Sequence, residues 1–265
     1  MVHQPTDEPR LLQELRANVS SHTHSETEKK WVSDHTLRRY LIARNWHVDK
    51  AAKMLIGTLE WRRSFGVDQL TAEGVKKSGL KGKLFTLGAD KTGRPCFFMR
   101  PAQETTKDDH DNNLKHLVYQ LERVVSYMDE DQGMGKMICV LDCDKYSSSN
   151  APPFRTSQAT LHILQDHYPE RLGKFLVLSA PWYFLAFYKA ISPFIDKNTK
   201  EKIEFVNAKT PEEMRRILSN HFDMTQFPEF LFGDLPADQA FNPETYYTKE
   251  GEQRGREMVQ NLRAA

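Results

Sequence analysis

Up to about residue 72, apolar positions recur at helical spacing. Leu11, Leu12 and Leu15 mark one amphipathic piece in a polar stretch rich in Glu, Ser, Thr and His. Ser33 predicts an N-cap, with Val32 and Leu37 placed as a hydrophobic staple. The helix it opens puts Leu37, Tyr40 and Leu41 on one face, while Arg38, Arg39 and Arg44 follow a different stripe. Asp49 is expected to cap the next helix, whose core face is Ala52, Leu55, Ile56 and Leu59. Arg62 and Arg63 in its last turn, followed by Gly66, supply its stop signal. Residues 1–72 therefore read as an all-helical N-terminal lobe, and residues 73–265 as a second domain.

From about residue 82 the pattern shortens. Lys83–Leu87 and Pro95–Arg100 predict strands joined by a turn at Asp90-Lys91-Thr92-Gly93. Asn112–Met128 predicts a long amphipathic helix, Met137–Leu141 a buried strand and Thr156–His167 another helix. Phe175–Ala180 predicts a strand buried on both faces and Ile203–Val206 the last strand. Thr210-Pro211-Glu212-Glu213 predicts a capping box opening a helix to about His221. This alternation predicts an α/β fold, a mostly parallel sheet flanked by helices behind the helical lobe. The tail after Gly233 is expected to wrap the surface.

One segment breaks the amphipathic rule. Trp182 to about Ile195 is apolar almost all the way round, interrupted by Lys189 and Ser192, and Pro193 is expected to end or kink it. Such a helix is either core or meets lipid. The plain reading is core. Against it stand Trp182, Tyr183, Phe184, Phe187 and Tyr188, rings of the kind favoured at membrane–water boundaries. It is too short to span a bilayer.

Composition narrows the function classes. A formal net charge of +1 with 28% charged residues, and no basic run, speaks against nucleic acid. Three cysteines, Cys96, Cys139 and Cys143, form no disulfide framework and fit a reducing compartment, with core thiols as the default. No apolar leader precedes the first helix, so the expectation is a cytoplasmic protein, peripheral on membranes. Chemistry of bond-breaking has no motif to stand on. No phosphate loop, GxSxG, HExxH or CxxC occurs, and Gly133-Met134-Gly135 opens no helix. His162 and His167, five apart, are expected on different helix faces, and no metal site is expected.

Four motifs then acquire a meaning together. DHTLRRYLIARNWHVDKAAKML, DKTGRPCFF, HYPERLGKFLVLSAPW and PFIDKNTKEKI, over roughly residues 34–233, resemble the CRAL-TRIO family and its yeast phosphatidylinositol-transfer branch. RPAQETTK, HLVYQLERVVSYM and LHILQDHYPERLGK resemble a fungal subgroup tied to phosphatidylinositol, sterols and azole resistance. The resemblance implies a lobe with one lipid buried whole, closed by a gate helix carrying Trp182, Phe184, Phe187, Tyr188 and Phe194. It implies an inositol headgroup site of Arg44, Glu170, Thr199 and Lys202. Two departures stand out: LRRYLIAR has Ile42 where the family usually has arginine, and DKNTKEK replaces DPVTxxK. Ser147 and Ser149 align with the hydroxyls of a second, choline-lipid site, but their flanks differ, so sterol is the open alternative there.

The residue types suit this ligand. Lys202 and Arg44 offer charge to a phosphate, Thr199 a hydroxyl, and Glu170 can accept from two polyol hydroxyls. The implied ligand is a phospholipid, phosphatidylinositol, with no cofactor. Implied partners are the membrane surface, transiently, sterol and lipid kinases. An adaptor with a vestigial lipid pocket is the alternative from another class.

Overall fold

The computed structural model describes residues 6–147 and 149–264, and of Phe194 the backbone alone. The chain divides into two compact units. One holds the residues up to Leu70 together with Gln158–Arg171; the other holds Thr71–Ser157 and Leu172–Ala265. The YPER segment thus groups with the helical unit although it lies far beyond residue 72.

The helical unit begins with α1 (Glu8–Ser20), α2 (Glu26–Trp31), α3 (Asp34–Ala43) and α4 (Val48–Phe65). Its core is one cluster in which Leu15, Leu37, Tyr40, Leu41, Leu55 and Leu59 are completely buried. Ser33 caps α3 by accepting from the Thr36 amide, and Gly66 stops α4 in the left-handed conformation at φ 74°. One expectation is corrected. Asp49 does not cap α4: the N-cap is His47, without a side-chain bond, and Asp49 lies in the first turn, where its charge meets the positive helix end. Arg39, placed on a stripe apart from Leu37, Tyr40 and Leu41, is nonetheless buried.

In the other unit, α5 (Ala72–Gly79) precedes the hairpin of β1 (Leu84–Ala89) and β2 (Pro95–Met99). The Asp90 carboxylate builds its turn, accepting from the amides of Thr92 and Arg94. Next come α6 (His110–Val125), β3 (Met137–Asp142), the first turn of α7 (Phe154–His167), whose remainder belongs to the helical unit, then β4 (Leu172–Leu178), α8 (Trp182–Ile191), α9 (Lys197–Glu201), β5 (Ile203–Val206) and α10 (Pro211–Leu218). The sheet order is β1-β2-β3-β4-β5, with the hairpin antiparallel and every later pair parallel. The α/β class predicted from alternation is therefore the observed one.

Register places Met99, Leu141, Val177 and Phe205 side by side across four strands. Because side chains alternate along a strand, this row forms one face. Leu141, Val177 and Cys143 are buried in it, while Met99, Phe175, Ile203 and Phe205 are only half covered. β4 departs from its prediction. It starts at Leu172, is fully buried only from Leu176, and stops before Ser179, whose φ of 54° leaves the strand conformation.

The tail after Gly233 is largely helical. It forms α11 (Ala237–Ala240), α12 (Pro243–Tyr246) and α13 (Lys249–Ala264), and buries Tyr246, Tyr247 and Val259. The Arg123 guanidinium on α6 stacks on the Tyr246 ring at 3.8 Å and donates to the carbonyls of Tyr246 and Gly251. The tail's Pro, Asn and Gly residues are caps and close contacts rather than loop signals. Gly255, for example, sits so near the Tyr127 hydroxyl that a Cβ would approach it to 2.5 Å.

Candidate lipid-binding site

Each implied headgroup residue has a local reason for its position. Glu170 follows α7 with φ 59°, a left-handed conformation that non-glycine residues rarely hold without support. That support comes from the helical unit. Arg39 donates to the Pro169 carbonyl, the Tyr40 hydroxyl to that of His167, and the Thr58 hydroxyl to that of Asp166. Trp61 stacks on His167 at 4.0 Å and 7° and meets Tyr168 edge-on. Burial, with His162 nearby, pushes the His167 imidazole down to about 4, so it stays neutral. Arg39, Thr58 and Trp61 were not singled out from sequence. Their signal was weak, because a positioning role arises only from the fold that brings them to YPER. Arg44, in the same unit, is the C-cap of α3, half-buried, with Nη1 donating to the Ala43 carbonyl.

Thr199 and Lys202 belong to the sheet unit and lie within one turn of each other. Asp196 caps α9 by accepting from the Thr199 amide at 2.9 Å. Burial alone would raise the Asp196 carboxyl, but the Thr199 hydroxyl and amide and the Lys202 charge together hold it below the usual carboxylate range. Lys202 caps α9 at the other end, and its carbonyl accepts from the Phe175 amide, tying the turn to β4. Asp196 is thus a member of this cluster that residue-by-residue transfer from the family pattern overlooked.

Ser147 and Ser149 come together, their hydroxyls 2.7 Å apart, and the Lys107 ammonium donates to the Ser149 carbonyl. Next to them Tyr146 carries α8: the Tyr183 hydroxyl donates to the Tyr146 carbonyl, and the Phe184 ring meets Tyr146 edge-on at 6.1 Å. Tyr188 packs on Phe205, the end of the apolar row, at 5.0 Å.

The plain core reading of α8 fails. Not one of its ten residues is buried, and Trp182 is 79% exposed, with Leu185 and Phe187 also outward. A ten-residue helix in which Lys189 is the one charged residue exposes an apolar surface of a kind that soluble monomers seldom leave open. The helix ends at Ile191 and the chain continues as a 3-10 turn over Ser192–Phe194, as Pro193 predicts; the Phe194 ring lies outside the described residues. Among the described residues no helix is long and apolar enough to cross a membrane. His162 and His167, expected apart, meet edge-on with ring centroids 5.7 Å apart. Among the described residues no group of three or more His, Cys, Asp or Glu could hold a metal ion.

A helical unit, a mostly parallel sheet and an exposed apolar helix beside a half-covered apolar row together form a recognisable class of fold. Comparison with known families agrees: the CRAL/TRIO domain matches residues 80–233, and the CRAL/TRIO N-terminal domain matches residues 11–57. The chain belongs to the CRAL-TRIO family. It is 38% identical over 180 residues to a CRAL-TRIO domain-containing protein of Schizosaccharomyces pombe, covering 68% of this chain and 18% of that protein. It is 32% identical over 235 residues to the phosphatidylinositol transfer protein PDR17 of Saccharomyces cerevisiae, covering 84% of this chain and 63% of that one. In both cases the chain spans less than two thirds of the relative's length. Among solved structures, Sfh5 superposes with a TM-score of 0.72 over 98% of this chain and 100% of that one at 16% identity, a likeness of fold.

Proposed function

We propose that this chain binds phosphatidylinositol and exchanges it between membranes, without bond chemistry of its own. The observation that carries the reading is α8, an apolar helix with no buried residue, resting through Tyr188 and Phe184 beside the half-covered row from Met99 to Phe205. Acyl chains need such a surface. Each CH₂ is worth about 0.8 kcal/mol against water, so two chains carry on the order of 20 kcal/mol. Lipid therefore passes from bilayer to an apolar site directly, a nearly neutral move for the chains, and the headgroup contacts set selectivity. Arg44 and Lys202 supply charge to the phosphate, Thr199 a hydroxyl, and Glu170 accepts from the polyol. The chain docks on membranes transiently through α8 and presents its lipid to modifying enzymes such as lipid kinases. The 32% identity to a phosphatidylinositol transfer protein supports the same reading.

Sterol is the proposed second ligand. Ser147 and Ser149 spend hydroxyl capacity on each other, which leaves less for a choline-lipid phosphate. A fluorescent sterol should bind while phosphatidylcholine transfer stays weak; robust choline-lipid transfer with no sterol signal would reverse that assignment alone.

The central test is Glu170→Ala combined with Lys202→Ala. Losing one charge-assisted hydrogen bond costs about 1.5 to 3 kcal/mol, and about 1.4 kcal/mol is a factor of ten. Phosphatidylinositol transfer between vesicles should fall at least tenfold with little change in melting temperature. A double variant that folds and transfers at the wild-type rate removes the headgroup assignment. Native mass spectrometry of the purified protein separates a carrier from an adaptor, because an adaptor would hold no phosphatidylinositol.

A further inference from the structure

The two outer strands of the sheet are β1 and β5. β5 is four residues long and carries Glu204, ion-paired with Lys174, and a short or charged edge resists pairing with another chain. β1 has neither protection. Its six residues, Leu84-Phe85-Thr86-Leu87-Gly88-Ala89, include no charge and no proline. The Lys83 carbonyl accepts from the Arg100 amide just past β2, so by alternation Leu84 and Thr86 turn their backbone groups outward. An uncovered apolar edge of this kind is a template for a further strand.

The segment after Gly233 covers that edge. The Thr86 amide donates to the Tyr246 hydroxyl at 2.8 Å, and the same hydroxyl donates onward to Gln120 on α6. Val259 and Leu262 of α13 pack with Ala89. Just before the strand, Gly79 and Gly82 leave no room for a Cβ beneath the Tyr247 hydroxyl and the Phe241 ring. The cover is incompletely bonded. Ser78 Oγ, Thr86 Oγ1 and His116 Nδ1, at or beside this seat, are buried without a hydrogen-bond partner. Each such atom weakens the hold of the segment on the sheet.

We propose that the segment from Ala237 to Ala264 is a displaceable cover, and that when it lifts, β1 pairs antiparallel with β1 of a second copy of this chain. Identical edges suit each other. Pairing about a two-fold axis sets the outward groups of Leu84 and Thr86 against the same groups of the partner, with no charge to repel, and joins two five-stranded sheets into one. None of the residues involved belongs to the lipid site.

Native-state hydrogen exchange of the full chain in low urea tests the cover in the wild-type protein. The Thr86 amide and the amides of α13 should exchange through one shared opening, while β3 and β4 stay protected. Two variants then test the pairing. Val259→Asp places a carboxylate where the side chain is 1% exposed, and Gly255→Leu collides with the Tyr127 hydroxyl, so each lifts α13 by its own route. Exchange of α13 should rise at least tenfold in both. Sedimentation velocity should show a dimer that wild type does not form at the same concentration. In that dimer the Thr86 amide should be protected again while α13 is not. Adding Thr86→Pro to Val259→Asp should restore the monomer, because an edge strand tolerates proline where its N–H faces out and then lacks the donor a partner strand needs. The proposal is overturned if Thr86 opens only with the whole sheet, or if a variant with exposed α13 stays monomeric. Protection of α13 unchanged in both variants, or lost throughout the sheet in both, makes the segment part of the core and overturns it too. Association of Val259→Asp that survives Thr86→Pro does the same, since it marks general adhesion of apolar surface such as α8.

Discussion

Two helices of the sheet unit invert the usual relation between polarity and burial. α6 carries His116, Gln120 and Arg123, yet all three are buried. α8 is a run of rings and aliphatic side chains, yet none is buried. The difference lies in partners. His116 Nε2 meets the Tyr247 hydroxyl at 2.9 Å, the Tyr246 hydroxyl donates to Gln120 at 2.7 Å, and Arg123 donates to two tail carbonyls and the Tyr127 hydroxyl. A polar group can enter a core when its hydrogen bonds go with it. An apolar helix can stay outside when its protein contacts, here Tyr146 and Phe205, cover only one side. Hydropathy alone therefore ranks these two helices in the wrong order.

An aspartate introduced on each helix should break them apart most widely. Leu121→Asp places an unpaired carboxylate where the side chain is 1% exposed and should cost more than about 4 kcal/mol in urea unfolding. Phe187→Asp on α8, 38% exposed, should cost less than about 1 kcal/mol. Equal losses would return α8 to the core.

Next in size is Arg123→Ala, which orphans the carbonyls of Tyr246 and Gly251. With unsatisfied buried acceptors at about 1 to 3 kcal/mol each, a loss of about 3 kcal/mol is expected, together with early hydrogen exchange of α13. Unchanged protection of α13 would mean that the tail is held by its apolar contacts alone.

Acid sharpens the contrast further. Burial, then the nearby Lys83 charge, pushes His116 down to about 3 from its usual 6.5. Below pH 6.5 the unfolded chain takes up a proton that the folded chain refuses, so this contribution is complete above pH 6.5 and is lost as pH falls. The slope approaches about 1.4 kcal/mol per pH unit, so roughly 2 kcal/mol is gone by pH 5. His116→Gln should remove about one proton's share of the slope over that window and leave the share of His167, which burial also depresses, to about 4; an unaltered profile would place the titration elsewhere.

The smallest expected energy belongs to α8 itself and is functional. Trp182→Asp with Phe187→Asp should reduce vesicle binding and lipid exchange together by about tenfold, or about 1.4 kcal/mol, with melting nearly unchanged. Exchange at the wild-type rate in a folded variant would show that α8 does not meet the bilayer.

Much of the chain was determined locally. The alternation of short apolar runs with amphipathic helices was enough to specify a mostly parallel sheet. Ser33, Gly66, Asp90, Pro193 and Thr210 worked as caps, stops and turns because each acts on backbone within a few residues. The tertiary structure decided what depends on distant partners. Nothing within four residues of Arg39 announces its bond to Pro169, 130 positions away, and nothing near Arg123 announces a tail that starts more than a hundred residues later. The exposure of α8 belongs to the same class, since a fully apolar helix carries no stripe to say which side is covered.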